Sequence, residues 1–410
     1  MVTKIETIIV GGGQGGLSTS YFLSQQGLEH VVLEKATRAG NVWRNDRWDS
    51  FTLLTPNWSF QLPGAKYQGN DPEGFMAREE IVARFEQYVE KFHLPVQYNV
   101  RATSIEQIER SDRFRVITED STWEARNVVI ATGLFQKPKR LALSTDLPER
   151  IMQLHSSEYR NPGLLPEGDV LVVGSAQSGC QIAEELYQSG RKVYLCVGSA
   201  GRAPRRYRGK DVYDWLNLSG FLDRTVDKLP SPKAKFSGNP HVSGKDGGKT
   251  LNLHKFARDG VQLLGRMQNI HDHTIYFSSD LHENLIKADK FEDEIVKMVD
   301  DYIIRTGMSA PEERLPVFRD GFNQKEITEI NLDSSRISTI VWANGYNFDF
   351  SLIKLPVCDE DGFPIQNRGV SEFQGLFFVG LPWLNKQKSG LLIGVGENAE
   401  FIASAISSRR

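Results

Sequence analysis

Two glycine-rich turns are the residues of this chain best suited to chemistry: Gly11-Gly12-Gly13-Gln14-Gly15-Gly16 and Gly174-Ser175-Ala176-Gln177-Ser178-Gly179. In each, the first glycine permits a tight turn out of a strand. A small second landmark, Gly13 or Ala176, lets backbone approach a pyrophosphate, and the third, Gly16 or Gly179, lets a helix pack on the strand. The helix that follows offers free N–H groups and a positive dipole end to phosphates. Displaced by 163 residues, the first unit falls on the second without a gap. Gly11 meets Gly174, Gly16 meets Gly179, Gly27 meets Gly190, and Ile8-Ile9-Val10 meets Leu171-Val172-Val173. One such turn is a weak signal; two in matched strand–turn–helix–strand context predict a pair of dinucleotide cradles.

The two cradles differ where a ribose would sit. Glu34, followed by Lys35, ends the second strand of the first unit, where a carboxylate accepts hydrogen bonds from ribose hydroxyls. The matching position in the second unit is Val197, followed by Ser199, Arg202, Arg205 and Arg206. A carboxylate repels a ribose 2′-phosphate, whereas guanidinium groups bind it bidentately. The second cradle is therefore expected to take NADPH rather than NADH, the alternative being that these arginines form a solvated basic loop.

The elements around the turns predict an α/β protein with two Rossmann-like domains. Residues 78–92 have the apolar spacing of an amphipathic helix, and 96–100, 114–118 and 128–131 read as strands. Residues 207–252 are polar and rich in Gly, Pro and Lys, with helices expected over 255–267 and 280–305. Residues 337–343 and 375–380 are strand-like and 397–406 helical. That tail is too short to fold alone, so it is expected to return to the first domain. The expected division is 1–160 and 336–410 for the first domain, and 161–335 for the inserted second, itself interrupted at about 207–310.

Bulk properties narrow the class. The chain has 410 residues and a net charge of −3, so two or three domains are expected and neither nucleic acid nor an anionic membrane is indicated. No run reaches the ~18 apolar residues of a membrane span, and residues 1–10 do not read as a secretory signal. Cys180, Cys196 and Cys358 are too far apart for a CxxC pair. A cytoplasmic protein is expected. No Ser/His/Asp nucleophile set has supporting context, and His271-Asp272-His273 lies in a polar turn that does not read as a metal site.

Taken together, the two turns, Ala131-Thr132-Gly133, Gly40-Asn41-Val42-Trp43 and Trp342-Ala343-Asn344-Gly345-Tyr346 resemble motifs of the class B flavin monooxygenases. That family holds the flavin-containing monooxygenases, the plant auxin-forming enzymes and the Baeyer–Villiger enzymes. Residues 53–63, LLTPNWSFQLP, are closest to the auxin-forming branch. Two departures stand out. Of the fingerprint FxGxxxHxxx(Y/F/W) only His155 and Tyr159 remain, with Glu149 and Ile151 at the Phe and Gly positions; and the family's ATGY is here ANGY.

The resemblance implies FAD on the first cradle, held by Gly11, Gly13, Gly15, Gly16, Glu34, Lys35, Val42, Trp43, Ala131, Thr132 and Gly133, with Gly390, Leu391 and Leu392 at the pyrimidine end. It places NADPH at Gly174, Ser175, Ala176, Gln177, Ser178, Gly179, Ser199, Arg202, Arg205, Arg206, Ala343, Asn344 and Gly345. The implied activity is NADPH-dependent insertion of one oxygen atom from O2 into a small molecule through a flavin peroxide. Trp43 to Phe60 would form a water-excluding wall, and Asn57 is the nearest substitute for the family's flavin-side Asn, whose ungapped position is Leu54. An NADPH:acceptor oxidoreductase without oxygen insertion and a slow redox-sensing flavoprotein stay open as alternatives.

Overall fold

The computed structural model describes residues 2–229, 231–236 and 240–409; part of the expected insertion, at 230 and 237–239, lies outside them. The apolar run before the first turn forms β1 (Val2–Val10), which leads through α1 (Gln14–Gln25) into β2 (His30–Glu34). Ile8, Ile9, Val31, Val32 and Leu33 are all buried, the pattern of parallel strands covered on both faces. After the amphipathic α2 (Arg78–Lys91) come β3 (Val96–Tyr98), β4 (Ala102–Gln107), β5 (Phe114–Thr118) and β6 (Thr122–Ile130).

A second sheet is built from β7 (Met152–His155), β8 (Asp169–Val173), β9 (Val193–Cys196), β10 (Gln262–Leu264) and β11 (Ile337–Trp342). Its order is β7-β11-β8-β9-β10, all parallel. Between β8 and β9 runs α3 (Gln177–Gln188); between β10 and β11 runs the long α4 (Leu281–Thr306). The chain then returns to the first sheet as β12 (Leu376–Phe378), followed by α5 (Val395–Ser407). β12 pairs with β6, so β12-β6-β1-β2-β3 is one continuous parallel sheet. Val395, Ala399, Ile402, Ala403 and Ile406 bury one face of α5. The antiparallel β4–β5 pair extends from β6.

Two expectations are corrected. Divisions at 160/161 and 335/336 would cut the second sheet, because β7 precedes the first and β11 follows the second. β11 lies between β7 and β8 and is buried throughout except at Ser338, so it cannot be lent to the other domain. The helix expected over 255–267 is only Leu253–Arg258. Gly260, at φ +100°, ends it, and the apolar residues beyond pair with β9 instead of continuing the helix. The two strands of chain linking the units pair with each other, Lys137–Pro138 against Tyr346–Asn347.

Candidate functional site

The repeat seen in the sequence is a repeat in backbone geometry. Gly11 and Gly174 have φ of +110° and +108°. A Cβ on either would come within 2.6 Å of a carbonyl oxygen, that of Ala131 in one case and of Ala343 in the other. At Gly16 a Cβ would lie 1.9 Å from the Gly11 oxygen, and at Gly179 1.8 Å from the Gly174 oxygen. Each return strand then ends in a left-handed glycine, Gly133 at φ +71° and Gly345 at φ +78°. Gly13 and Ala176 differ in kind: both are extended, with φ −81° and −75°, and a Cβ on Gly13 meets nothing within 4 Å among the described residues. Alanine is admissible there for that reason. Neither α1 nor α3 has a side-chain N-cap among the described residues, so both helix starts keep amide groups for an anion.

Around the first turn the chain assembles most of the expected FAD set. The Glu34 carboxylate accepts from Gly12 N at 2.6 Å and from Ala36 N at 2.8 Å, which fixes it beside the turn. Lys35 is exposed next to it. Gln14 Nε2 donates to Gly390 O, bringing the 390–392 segment to the head of α1. Gly15 lies against Gly380: a Cβ there would come within 3.0 Å of its Cα. Val42 and Trp43 lie on a short helical turn, Asn41–Asn45. Arg47 sits 5.6 Å from the Trp43 ring and 4.6 Å from the Phe135 ring. Burial lowers the Arg47 pKa while Tyr346 and Asp46 oppose that. Thr132 Oγ1 accepts from Gln136 Nε2.

Three expected site residues already have partners within the protein. Asn57 is buried with both ends of its amide in use: Nδ2 donates to Asp71 O at 2.9 Å and Oδ1 accepts from Met76 N at 2.7 Å. It braces a loop through both ends of its amide. Arg202 is ion-paired to Asp289 at 2.7 Å and Glu292 at 2.6 Å, both on α4. Arg205, only 2% exposed, donates from Nε to Asp211 at 2.6 Å and from Nη1 to Leu54 O. Two of the three arginines expected to meet a 2′-phosphate are thus already matched by carboxylates. Arg206 remains exposed, donating to Gly247 O at 2.8 Å, and Ser199 is exposed as well.

The fingerprint remnants have structural duties. His155 Nε2 donates to Gly345 O at 3.0 Å, while Ser157 Oγ, 2.8 Å away, donates to Nδ1. Burial, the main cause, lowers the His155 pKa, in keeping with this neutral tautomer. Its ring packs edge-on against Tyr346, so His155 holds the glycine that closes the second cradle. Tyr159 OH donates to Glu185 at 2.8 Å. Beside the same cradle, Asn344 Oδ1 and both ring nitrogens of His241 are buried without a hydrogen-bond partner among the described residues. His241 went unnoticed in the sequence because it lies within the polar stretch 207–252, which carries no motif. Also unforeseen is a clamp in which Lys386 and Lys388 each pair with Asp223 and Glu397.

The likeness to known proteins covers the whole chain. Residues 8–217 match the pyridine nucleotide-disulphide oxidoreductase family. An uncharacterized oxidoreductase of Geobacillus kaustophilus, described as CzcO-like, is 32% identical over 405 residues, 98% of each chain. A probable indole-3-pyruvate monooxygenase of Arabidopsis thaliana is 28% identical over 313 residues, covering 73% of this chain and 74% of that one. Among solved structures, a flavin-containing monooxygenase from Stenotrophomonas maltophilia superposes with a TM-score of 0.67 at 19% identity, over 100% of this chain and 99% of the other.

Proposed function

The chain belongs to the pyridine nucleotide-disulphide oxidoreductase family and is flavin monooxygenase-like within it, and from that premise we propose that it is an NADPH-dependent flavin monooxygenase of a small molecule. The observation that carries this reading is the pair of cradles with matching backbones and unlike rims. FAD fits the first: Glu34 is fixed to accept from ribose hydroxyls, Gly13 opens onto space, and the head of α1 faces the 390 segment. A nicotinamide dinucleotide fits the second, where Val197 puts no carboxylate at the rim and buried polar atoms of Asn344 and His241 lack partners among the described residues.

When bound, FAD supplies hydride acceptance and oxygen activation, chemistry no side chain can provide. The chain's own residues bind, orient and keep water out. The aromatic group Trp43, Phe51 and Phe135, with Arg47 over it, supplies apolar cover beside the return strands, and such cover limits unproductive loss of oxygen as hydrogen peroxide. In the net reaction NADPH, O2, a proton and substrate give NADP+, water and the singly oxygenated product. A disulphide relay finds no support in the thiols: Cys180 and Cys196 are buried, and burial pushes both well above the usual thiol range.

The test is NADPH oxidation by the FAD-loaded protein with and without O2, across a panel of amines, sulfides and 2-oxo acids, with mass analysis of products. One oxygen atom gained from labelled O2 supports the reading. Oxidation that proceeds equally well under nitrogen with quinones, and never labels a product, replaces it with an electron-transfer enzyme.

A further inference from the structure

Both cradles carry a glutamine at the first helical residue after the turn, Gln14 on α1 and Gln177 on α3. In the first cradle the turn divides its partners. Gly12 N donates to Glu34 at the ribose rim, whereas Gln14 Nε2 donates to Gly390 O on the covering segment. The second cradle divides them in the same way. Ser175 Oγ accepts from Gly198 N, just beyond β9, at 3.0 Å, and the Gln177 side chain lies against the phenol of Tyr213.

A short helical segment, Val212–Leu218, brings Tyr213 there. Asp211 caps it, accepting from Tyr213 N at 2.9 Å, and pairs with Arg205 at 2.6 Å, both side chains only 2% exposed. Arg205 also donates to Leu54 O, and its guanidinium lies 4.2 Å from the Phe75 ring and 5.7 Å from the Tyr213 ring. The arginine expected to meet a phosphate thus pins this segment against the first unit. The Tyr213 ring packs with Phe221 and Ile393 against Val212, Leu216 and Leu222, and Ile393 follows the Gly390 that Gln14 holds. Tyr213 therefore stands between the head of α3 and the covering segment of the first cradle.

Its hydroxyl has a donor to spare. Tyr213 is half-buried, and its oxygen is not one of the polar atoms sealed in the interior without a partner. Burial, aided by Asp211, raises the phenol pKa, while Arg205 and the Gln177 side chain oppose it. The phenol is protonated at ordinary pH; its oxygen accepts from the Gln177 amide, and its hydrogen has no acceptor among the described residues. A dinucleotide laid across the turn has one ribose at the rim beyond β9 and its phosphates over the α3 amides. What passes Gln177 is the other half, which must approach the flavin for hydride transfer.

Resting on the reading that NADPH occupies the second cradle, we propose that Tyr213 is a ligand-binding residue whose phenol O–H donates to the nicotinamide half of the dinucleotide. Arg205, through Asp211, holds the segment that carries it.

The test is calorimetric titration of the FAD-loaded full chain with NADP+ and with 2′,5′-ADP, which carries the rim ribose and its phosphates but no nicotinamide half. Tyr213→Phe, which removes one oxygen atom, should weaken NADP+ about fivefold or more and 2′,5′-ADP less than about twofold. Equal weakening of both ligands, or NADP+ binding within about twofold of wild type, overturns the proposal and leaves the cradle reading intact. A wild type that binds neither ligand overturns both. Should the Phe variant not fold, hydrogen exchange of the wild type decides: NADP+ but not 2′,5′-ADP is expected to slow exchange in residues 212–218, and equal protection by the two, or none, overturns the assignment.

Discussion

Gly13 and Gly16 stand three residues apart under opposite constraints. Gly13 has an extended φ of −81° and open space where a Cβ would go, whereas a Cβ on Gly16 would lie 1.9 Å from the Gly11 oxygen. Gly13→Ala is therefore expected to change stability by less than ~1 kcal/mol, as Ala176 in the second copy indicates. Gly16→Ala must push the turn away from the helix and should cost about 2–4 kcal/mol. Urea unfolding midpoints together with the flavin-to-protein ratio check this; similar losses at the two positions would mean that the cradle geometry is misread. At this scale the sequence was legible, because a glycine needed for lack of space announces itself through spacing. Asn57 was not legible: its type suits catalysis, and only the positions of Asp71 and Met76 show that its amide is committed to a loop.

Among elements, the contact of residues 221–225 with Gln387–Gly390 ties the insertion to the head of α5. Gln387 N donates to Arg224 O at 2.9 Å, and Asp223 lies 2.9 and 3.0 Å from the ammonium groups of Lys386 and Lys388. Burial raises the Asp223 and Glu397 carboxyls, but the two lysines outweigh it and leave both below the usual range. Carboxylates with depressed native pKa stabilise the fold above their unfolded-state pKa of ~4, and that contribution is lost as pH falls through the native value. Because both acids are partly exposed, each pair contributes about 1 kcal/mol or less. Asp223→Asn should thus lower the urea midpoint at pH 6, with the gap to wild type closing towards pH 3. A gap that widens on acidification would contradict the clamp. The helix α4 was legible from its 3.6-residue apolar period; the clamp was not, since Asp223 lies more than 160 residues from both of its lysines.

For the molecule as a whole, sheet membership defines the inserted unit. β11 is central in the second sheet, flanked by β7 and β8. A fragment spanning 148–345 is expected to unfold cooperatively on heating, whereas 161–335, the division expected from the sequence, lacks β7 and β11 and should show no cooperative transition by circular dichroism. A folded shorter fragment would show that β11 is dispensable to that sheet. β12 and α5 belong to the other unit, where α5 buries its apolar face near α1 and the parallel sheet gains its strand beyond β6.

What the sequence determined by itself is local: two cradles 163 residues apart, the acid at one rim and its lack at the other, and where small residues are compulsory. These follow from backbone sterics within one turn, which a short run of residue types encodes. The tertiary structure alone decided which charges stay available and which strand joins which sheet. Arg202 reads as a phosphate ligand until α4 lays Asp289 and Glu292 against it, and His241 reads as a loop residue until its ring comes to rest on Ser175. Ion pairing and strand pairing are settled by contacts between distant segments, and no local pattern carries that information.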